Sequence, residues 1–118
     1  MKKIYATHPF QAKKENYQAI SNICNRLVAM GYMPLSPVHA FQFMNDRNPD
    51  ERETALGFCK ELMKFADEVW LFGAWEFSED CRMEVTEAGL QLKLIKIVTG
   101  WKEGYPVFMD IKKFGGRK

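Results

Sequence analysis

The chain has 118 residues, 47% of them apolar and 27% charged, with a formal net charge of +2. These values fit one folded domain over residues 1–118 and exclude a disordered chain. The charge is too small to mark a nucleic-acid polymer or an anionic membrane as the main partner. The cysteines Cys24, Cys59 and Cys81 are odd in number and irregularly spaced, so neither a disulfide framework nor a metal-ligand set is expected, and no cofactor is predicted. No apolar run approaches the length of a membrane span, and MKKIYATHPF is too short an apolar run for a signal peptide. Free thiols fit a reducing compartment, so the expected location is the cytoplasm.

Lys3 to Thr7 reads as a buried strand, ended by His8-Pro9. Lys13 to Met30 has helical periodicity, with Tyr17, Ile20, Cys24, Leu27 and Val28 on one face and Gly31 as its stop. Met33 to Leu35 is a second short strand. The connection from Val38 to Pro49 is unusually aromatic; it is either a functional loop or a segment in which Phe41 and Phe43 simply pack on the domain. A second helix runs from Asp50 to about Ala66, with an acidic first turn and a stripe of Leu56, Cys59, Met63 and Ala66. Glu68 to Phe72 is the third strand, with Trp70 in the core. A third helix covers about Asp80 to Leu90, Lys93 to Val98 is a fourth strand, and Val107 to Ile111 is a candidate fifth. The tail 115–118 is expected to fray.

Alternation of strands and helices predicts an α/β fold, a single doubly wound parallel sheet of four or five strands with helices on both faces. Right-handed crossovers leave the flavodoxin-like, Rossmann-like order 2-1-3-4-5 as the usual small solution. In such a sheet ligands bind beyond the carboxyl ends of the strands, where the order reverses. That crevice lies between Thr7-His8-Pro9-Phe10 and Gly73-Ala74-Trp75-Glu76. The run of acids after the third strand, Glu76, Glu79, Asp80 and Glu84, is therefore aimed at the crevice.

On the third helix Cys81, Val85 and Ala88 form the apolar stripe, and Glu84 lies beside it near the positive end of the helix dipole. The dipole favours its charge while partial burial raises its pKa. A poorly solvated carboxylate of this kind is able to attack a sugar carbon. By spacing alone a structural or solvated role for Glu84 stands beside the catalytic one. Ser78, Glu79 and Asp80 suit a helix N-terminus.

Three segments carry a resemblance. Ile4-Tyr5-Ala6-Thr7-His8-Pro9-Phe10 is similar to a first-strand motif Tyr-Leu-Ala-Gly-Pro-Phe. Ala66 to Gly73 is similar to a third strand preceded by Asp. Glu79 to Ala88 is similar to the helix-opening pattern Ser-Gly-Thr/Met-x-x-Glu-x-x-x-Ala. Together they make the chain, over about Lys3 to Val98, resemble the nucleoside 2-deoxyribosyltransferase-like superfamily, in particular its small bacterial and phage members.

The resemblance implies cleavage or transfer at the N-glycosidic bond of a (deoxy)nucleoside or nucleoside 5′-monophosphate. It implies Glu84 as nucleophile, Tyr5 as the hydroxyl that bonds it and Asp67 as an acid near the base or sugar end of the pocket. It places Ser78 where the active enzymes often carry an Asp. Substrate contacts are expected from His8, Pro9, Phe10, Gly73, Trp75, Ser78, Asp80 and Cys81. A homo-oligomer is expected because such pockets are often completed across a subunit boundary.

Departures from the pattern stand at His8, in place of Gly, at Asp80-Cys81, in place of Gly-Thr or Gly-Met, and at Ser78. They favour the alternative of a non-catalytic nucleotide-binding or sensing module. His8 either donates to a phosphate or base or is a polar loop residue; Trp75 either stacks on a base or covers a subunit interface. A third reading is a structural partner protein that docks through Phe41 and Phe43. The patterns Gly-x-Gly-x-x-Gly and Gly-x-x-x-x-Gly-Lys-Ser/Thr are absent.

Overall fold

A computed structural model of the protein describes residues 1–11, 13–44 and 48–109. In chain order the elements are β1 Lys3–Thr7, α1 Lys14–Ala29, β2 Met33–Leu35, α2 Pro37–Ala40, α3 Pro49–Met63 and β3 Glu68–Leu71, then a 3₁₀ turn Trp75–Phe77, α4 Glu79–Leu90, β4 Leu94–Lys102 and β5 Tyr105–Phe108. They build a five-stranded sheet in the order β2-β1-β3-β4-β5. The first four strands are parallel; Tyr5 of β1 aligns with Leu35 on one side and Val69 on the other. The fifth is antiparallel, which corrects the expectation of a parallel sheet throughout.

The hairpin explains that correction. Only two residues, Glu103 and Gly104, lie between the paired Lys102 and Tyr105. Both have positive φ, 54° and 85°, as a tight turn that matches strand twist requires. A crossover to a parallel strand needs a far longer connection. Ile111, the expected end of the fifth strand, and the tail 115–118 lie outside the described residues.

Alternation along β1 and β3 divides the core into two layers. Ile4, Ala6, Trp70 and Phe72 pack with Ile23 and Leu27 of α1. Tyr5, Val69 and Leu71 pack on the other face with Met63 and Ala88 of α3 and α4. Each strand thus sends every second side chain to one layer, as a period of two dictates. The buried side of α1 runs through Ile20, Ile23 and Leu27. Val28, expected there, is 59% exposed, because the contact stripe turns toward Ile23 instead.

The helix starts follow the sequence. Asn48 caps α3, Pro49 takes its first position, and Asp50 and Glu51 fill the first turn. Ser78 caps α4 by accepting from the Cys81 amide at 3.3 Å. At the amino end of the sheet buried Glu68 accepts from Trp70 Nε1 at 2.8 Å and pairs with Lys2 and Lys96 at 2.7 and 3.2 Å. Burial opposes its charge, but these partners outweigh burial and hold its carboxyl below the ordinary value. Among the described residues no helix is long and apolar enough to cross a membrane.

Candidate functional site

Tyr5 and Thr7 point into the layer between the sheet and α3–α4, and α4 brings Glu84 to meet them. The Tyr5 hydroxyl donates to Oε2 of Glu84 at 3.1 Å. Tyr5 is fully buried. Burial first, and then the charge of Glu84, push its phenol pKa well above the ordinary value, so Tyr5 keeps its proton and remains a donor. Burial raises the Glu84 carboxyl to about 7; the hydroxyls of Tyr5 and Thr7 favour its charged form, and Asp80 disfavours it. The Thr7 hydroxyl lies beside the carboxylate without reaching hydrogen-bond geometry to any described group.

Glu84 forms part of the wall of a cavity of about 250 Å³. Ala6, His8 and Phe10 line it from the end of β1, Arg52, Leu56 and Cys59 from α3, and Asp80 and Cys81 from α4. Val38, Phe41 and Met44 contribute from the aromatic connection. Phe41 also meets Phe58 with ring centroids 5.5 Å apart, while Phe43 is 77% exposed. The cavity lies beyond the carboxyl ends of β1 and β2, with α4, the helix that follows β3, as its other wall, beside the switch point where the topology places ligands.

The expected site residues divide by position. Glu84, Tyr5, His8, Phe10, Asp80 and Cys81 come together at or directly behind this cavity. His8 Nδ1 lies 2.6 Å from the Pro9 carbonyl; a carbonyl only accepts, so Nδ1 carries the proton and Nε2 is the open nitrogen. Pro9 acts through that carbonyl. Gly73 acts through absence: its φ is +64°, and a Cβ there would stand 2.9 Å from His8 Nε2. Ser78 is buried and serves as the cap of α4. Cys81 and Cys59 are each pushed up to about 12, chiefly by burial, so both remain thiols.

Pro9, Gly73 and Ser78 do not line the cavity themselves, and Asp67 and Trp75 are carried away from it. Asp67 precedes β3 and therefore lies at the amino end of the sheet, where it accepts from the Lys3 amide at 2.7 Å. Trp75 packs on the α4 layer and lines a separate apolar cavity with Val85, Ile97 and Met109. Its place after Gly73 suggested the crevice, but the 3₁₀ turn carries the indole over the far side of α4.

Arg52 is a charged cavity residue that sequence reasoning missed. Its guanidinium pairs with Asp80 and lies 3.4 Å from Glu79. The signal was present: Arg52 is four residues before Leu56 and seven before Cys59, so it extends the inward stripe of α3 by one turn. Among the described residues no group of three or more His, Cys, Asp or Glu side chains could hold a metal ion.

The backbone is similar to the solved structure of a 2-deoxyribosyltransferase from the psychrotolerant bacterium Bacillus psychrosaccharolyticus, with a TM-score of 0.60 and 21% identity, covering 80% of this chain and 70% of that one. The two share the α/β fold. A comparison with curated proteins finds no match. A family model described as a domain of unknown function, DUF7768, matches residues 2–98, from the start of β1 into β4. The chain belongs to the DUF7768 family.

Proposed function

We propose that the protein cleaves or transfers at the N-glycosidic bond of a (deoxy)nucleoside or nucleoside 5′-monophosphate, with Glu84 as nucleophile. The observation that carries this reading is the Tyr5–Glu84 pair: a carboxylate held by a buried hydroxyl in the wall of a cavity beside the switch point. The fold shared with a 2-deoxyribosyltransferase supports it.

In this mechanism the ionised Glu84 attacks the anomeric carbon. A glycosyl ester forms, the carbon–nitrogen bond breaks, and its electron pair leaves with the base. The base takes a proton from solvent. Water or a second base then discharges the sugar and restores the carboxylate. Tyr5 orients Glu84 and favours its charge before attack. Because Glu84 must be ionised and its carboxyl sits at about 7, the rate rises with pH through neutrality.

One observation favours a second reading, a nucleotide-binding module without turnover. Ser78, which the resemblance sets where active 2-deoxyribosyltransferases often carry an Asp, is a buried helix cap without a carboxyl. The cavity, at about 250 Å³, is also slightly below the range of about 300–1,000 Å³ common for small-molecule sites. A second copy of the chain completing it would remove that difference, and a homo-oligomer belongs to this proposal.

The test is chromatographic. Wild type and Glu84→Ala are incubated with ribo- and deoxyribonucleosides and their 5′-monophosphates, with and without a free acceptor base. Free base or an exchanged nucleoside from wild type alone is the expected result. Ligand binding that survives Glu84→Gln, with no product from folded wild type, would favour the binding module. Equal product from wild type and Glu84→Ala would remove Glu84 as nucleophile.

A further inference from the structure

Asp80 and Glu84 are four residues apart on α4, one above the other on the same helical face, and both line the cavity. Like charges at this spacing repel. The structure answers with a cation from another element. Arg52, in the first turn of α3, reaches across to pair with Asp80 and meets Glu79 at 3.4 Å. Arg52 lines the same cavity but has no hydrogen bond to Glu84.

We propose that Arg52 is a positioning residue: by pairing with Asp80 it offsets a negative charge one helical turn from Glu84 and so keeps that carboxyl able to ionise at neutral pH. The groups facing Glu84 are Tyr5 and Thr7 from β1, Cys59 from α3, and Asp80 and Cys81 from α4, with His8 in the same cavity wall. Tyr5 and the cysteines keep their protons near neutrality. Asp80 is the acid among them that acts against the charge of Glu84. Arg52 acts on Glu84 through Asp80. Without the charge of Asp80 the guanidinium loses its main anchor at the cavity, so its effect on Glu84 falls, which gives the inference a sharp test.

The experiment is a ¹³C NMR titration of the Glu84 carboxyl in wild type, Arg52→Gln, Asp80→Asn and the double variant. Arg52→Gln is expected to raise the Glu84 midpoint by about half a pH unit or more. Asp80→Asn lowers it, and the double variant follows Asp80→Asn alone. The shift is modest because Arg52 and Asp80 side chains are 38% and 51% exposed, and salt reduces it.

A midpoint unmoved by Arg52→Gln, or one raised equally with and without Asp80, would overturn the proposal. Should Arg52→Gln fail to fold, Asp80→Asn decides, since an unmoved or raised midpoint there has the same force. The role in catalysis rests on the N-glycosidic reading, but the titration requires no turnover. In an active protein the alkaline displacement of the pH–rate limb in Arg52→Gln must match the NMR shift. A failed cycle with product formation intact rejects the role of Arg52 and not the glycosidic chemistry.

Discussion

The Tyr5 hydroxyl stands 3.1 Å from Oε2 of Glu84, joining residues 79 positions apart in sequence. The contact follows from two periodicities. Strand alternation turns Tyr5 away from α1 and toward α4, and the helical register of α4 sets Glu84 beside the inward residues Cys81, Val85 and Ala88. The hydroxyl is buried and held by the sheet, so it presents a fixed donor to the carboxylate.

Tyr5→Phe removes that donor while leaving the ring in the core. A hydrogen bond to a charged group contributes about 1.5–3 kcal/mol, so under the proposed N-glycosidic reading the rate near neutral pH is expected to fall about 10- to 150-fold. The Glu84 carboxyl is expected to titrate at higher pH, because the lost bond favours its charged form. Rates measured from pH 5 to 9 separate the two effects: an alkaline shift of the limb reports the charge, and a lowered plateau reports lost orientation. An unchanged profile would remove Tyr5 from the mechanism.

Glu84 is expected to cost stability when ionised. Its carboxyl lies at about 7 in the folded protein, above the ordinary value of 4.5. A pKa raised by folding contributes stability that is fully present below the unfolded value and lost as pH rises through the folded one. Wild type should therefore lose stability between about pH 4.5 and 7 through this group. Glu84→Gln is expected to be more stable than wild type at pH 8, by about 1–2 kcal/mol, and, under the proposed N-glycosidic reading, inactive. The gain disappears below about pH 4.5, where wild type also carries a neutral group. Thermal melts of both proteins across this range check the sign; a Glu84→Gln protein less stable at pH 8 would contradict it.

The sequence made the layers legible because local pattern determines them. Apolar runs at Lys3–Thr7 and Glu68–Leu71 between helical periods led directly to the observed order of strands. Glu84 and Tyr5 were legible because one lies beside an apolar stripe and the other within a strand, and both match a motif. Less legible were features that depend on relations between elements. The antiparallel β5 was hidden by reading β4 as ending at Val98, though Glu103-Gly104 carries a turn signal. Asp67 precedes its strand and so belongs to the amino end of a parallel sheet, a consequence of topology that motif similarity alone did not impose. Arg52 looked like one member of a charged helix start, and only its distance from Leu56 and Cys59 turned it inward.

Gly73 joins the fold to the site by leaving room. Its φ of +64° is strained for a residue with a side chain, and a Cβ would stand 2.9 Å from His8 Nε2 and 3.1 Å from Cδ2 of the same ring. The ring cannot withdraw freely, since Nδ1 is held to the Pro9 carbonyl at 2.6 Å. Gly73→Ala is therefore expected to destabilise the protein by about 1–3 kcal/mol and to displace His8 from the cavity wall. Chemical denaturation measures the first effect. The His8 ring resonances measure the second, because a substitution that only strains the backbone leaves them in place. Pairing Gly73→Ala with His8→Ala removes the clash and keeps the backbone strain, so part of the lost stability should return. If the double variant recovers nothing, the close approach of His8 is not what requires glycine at this position.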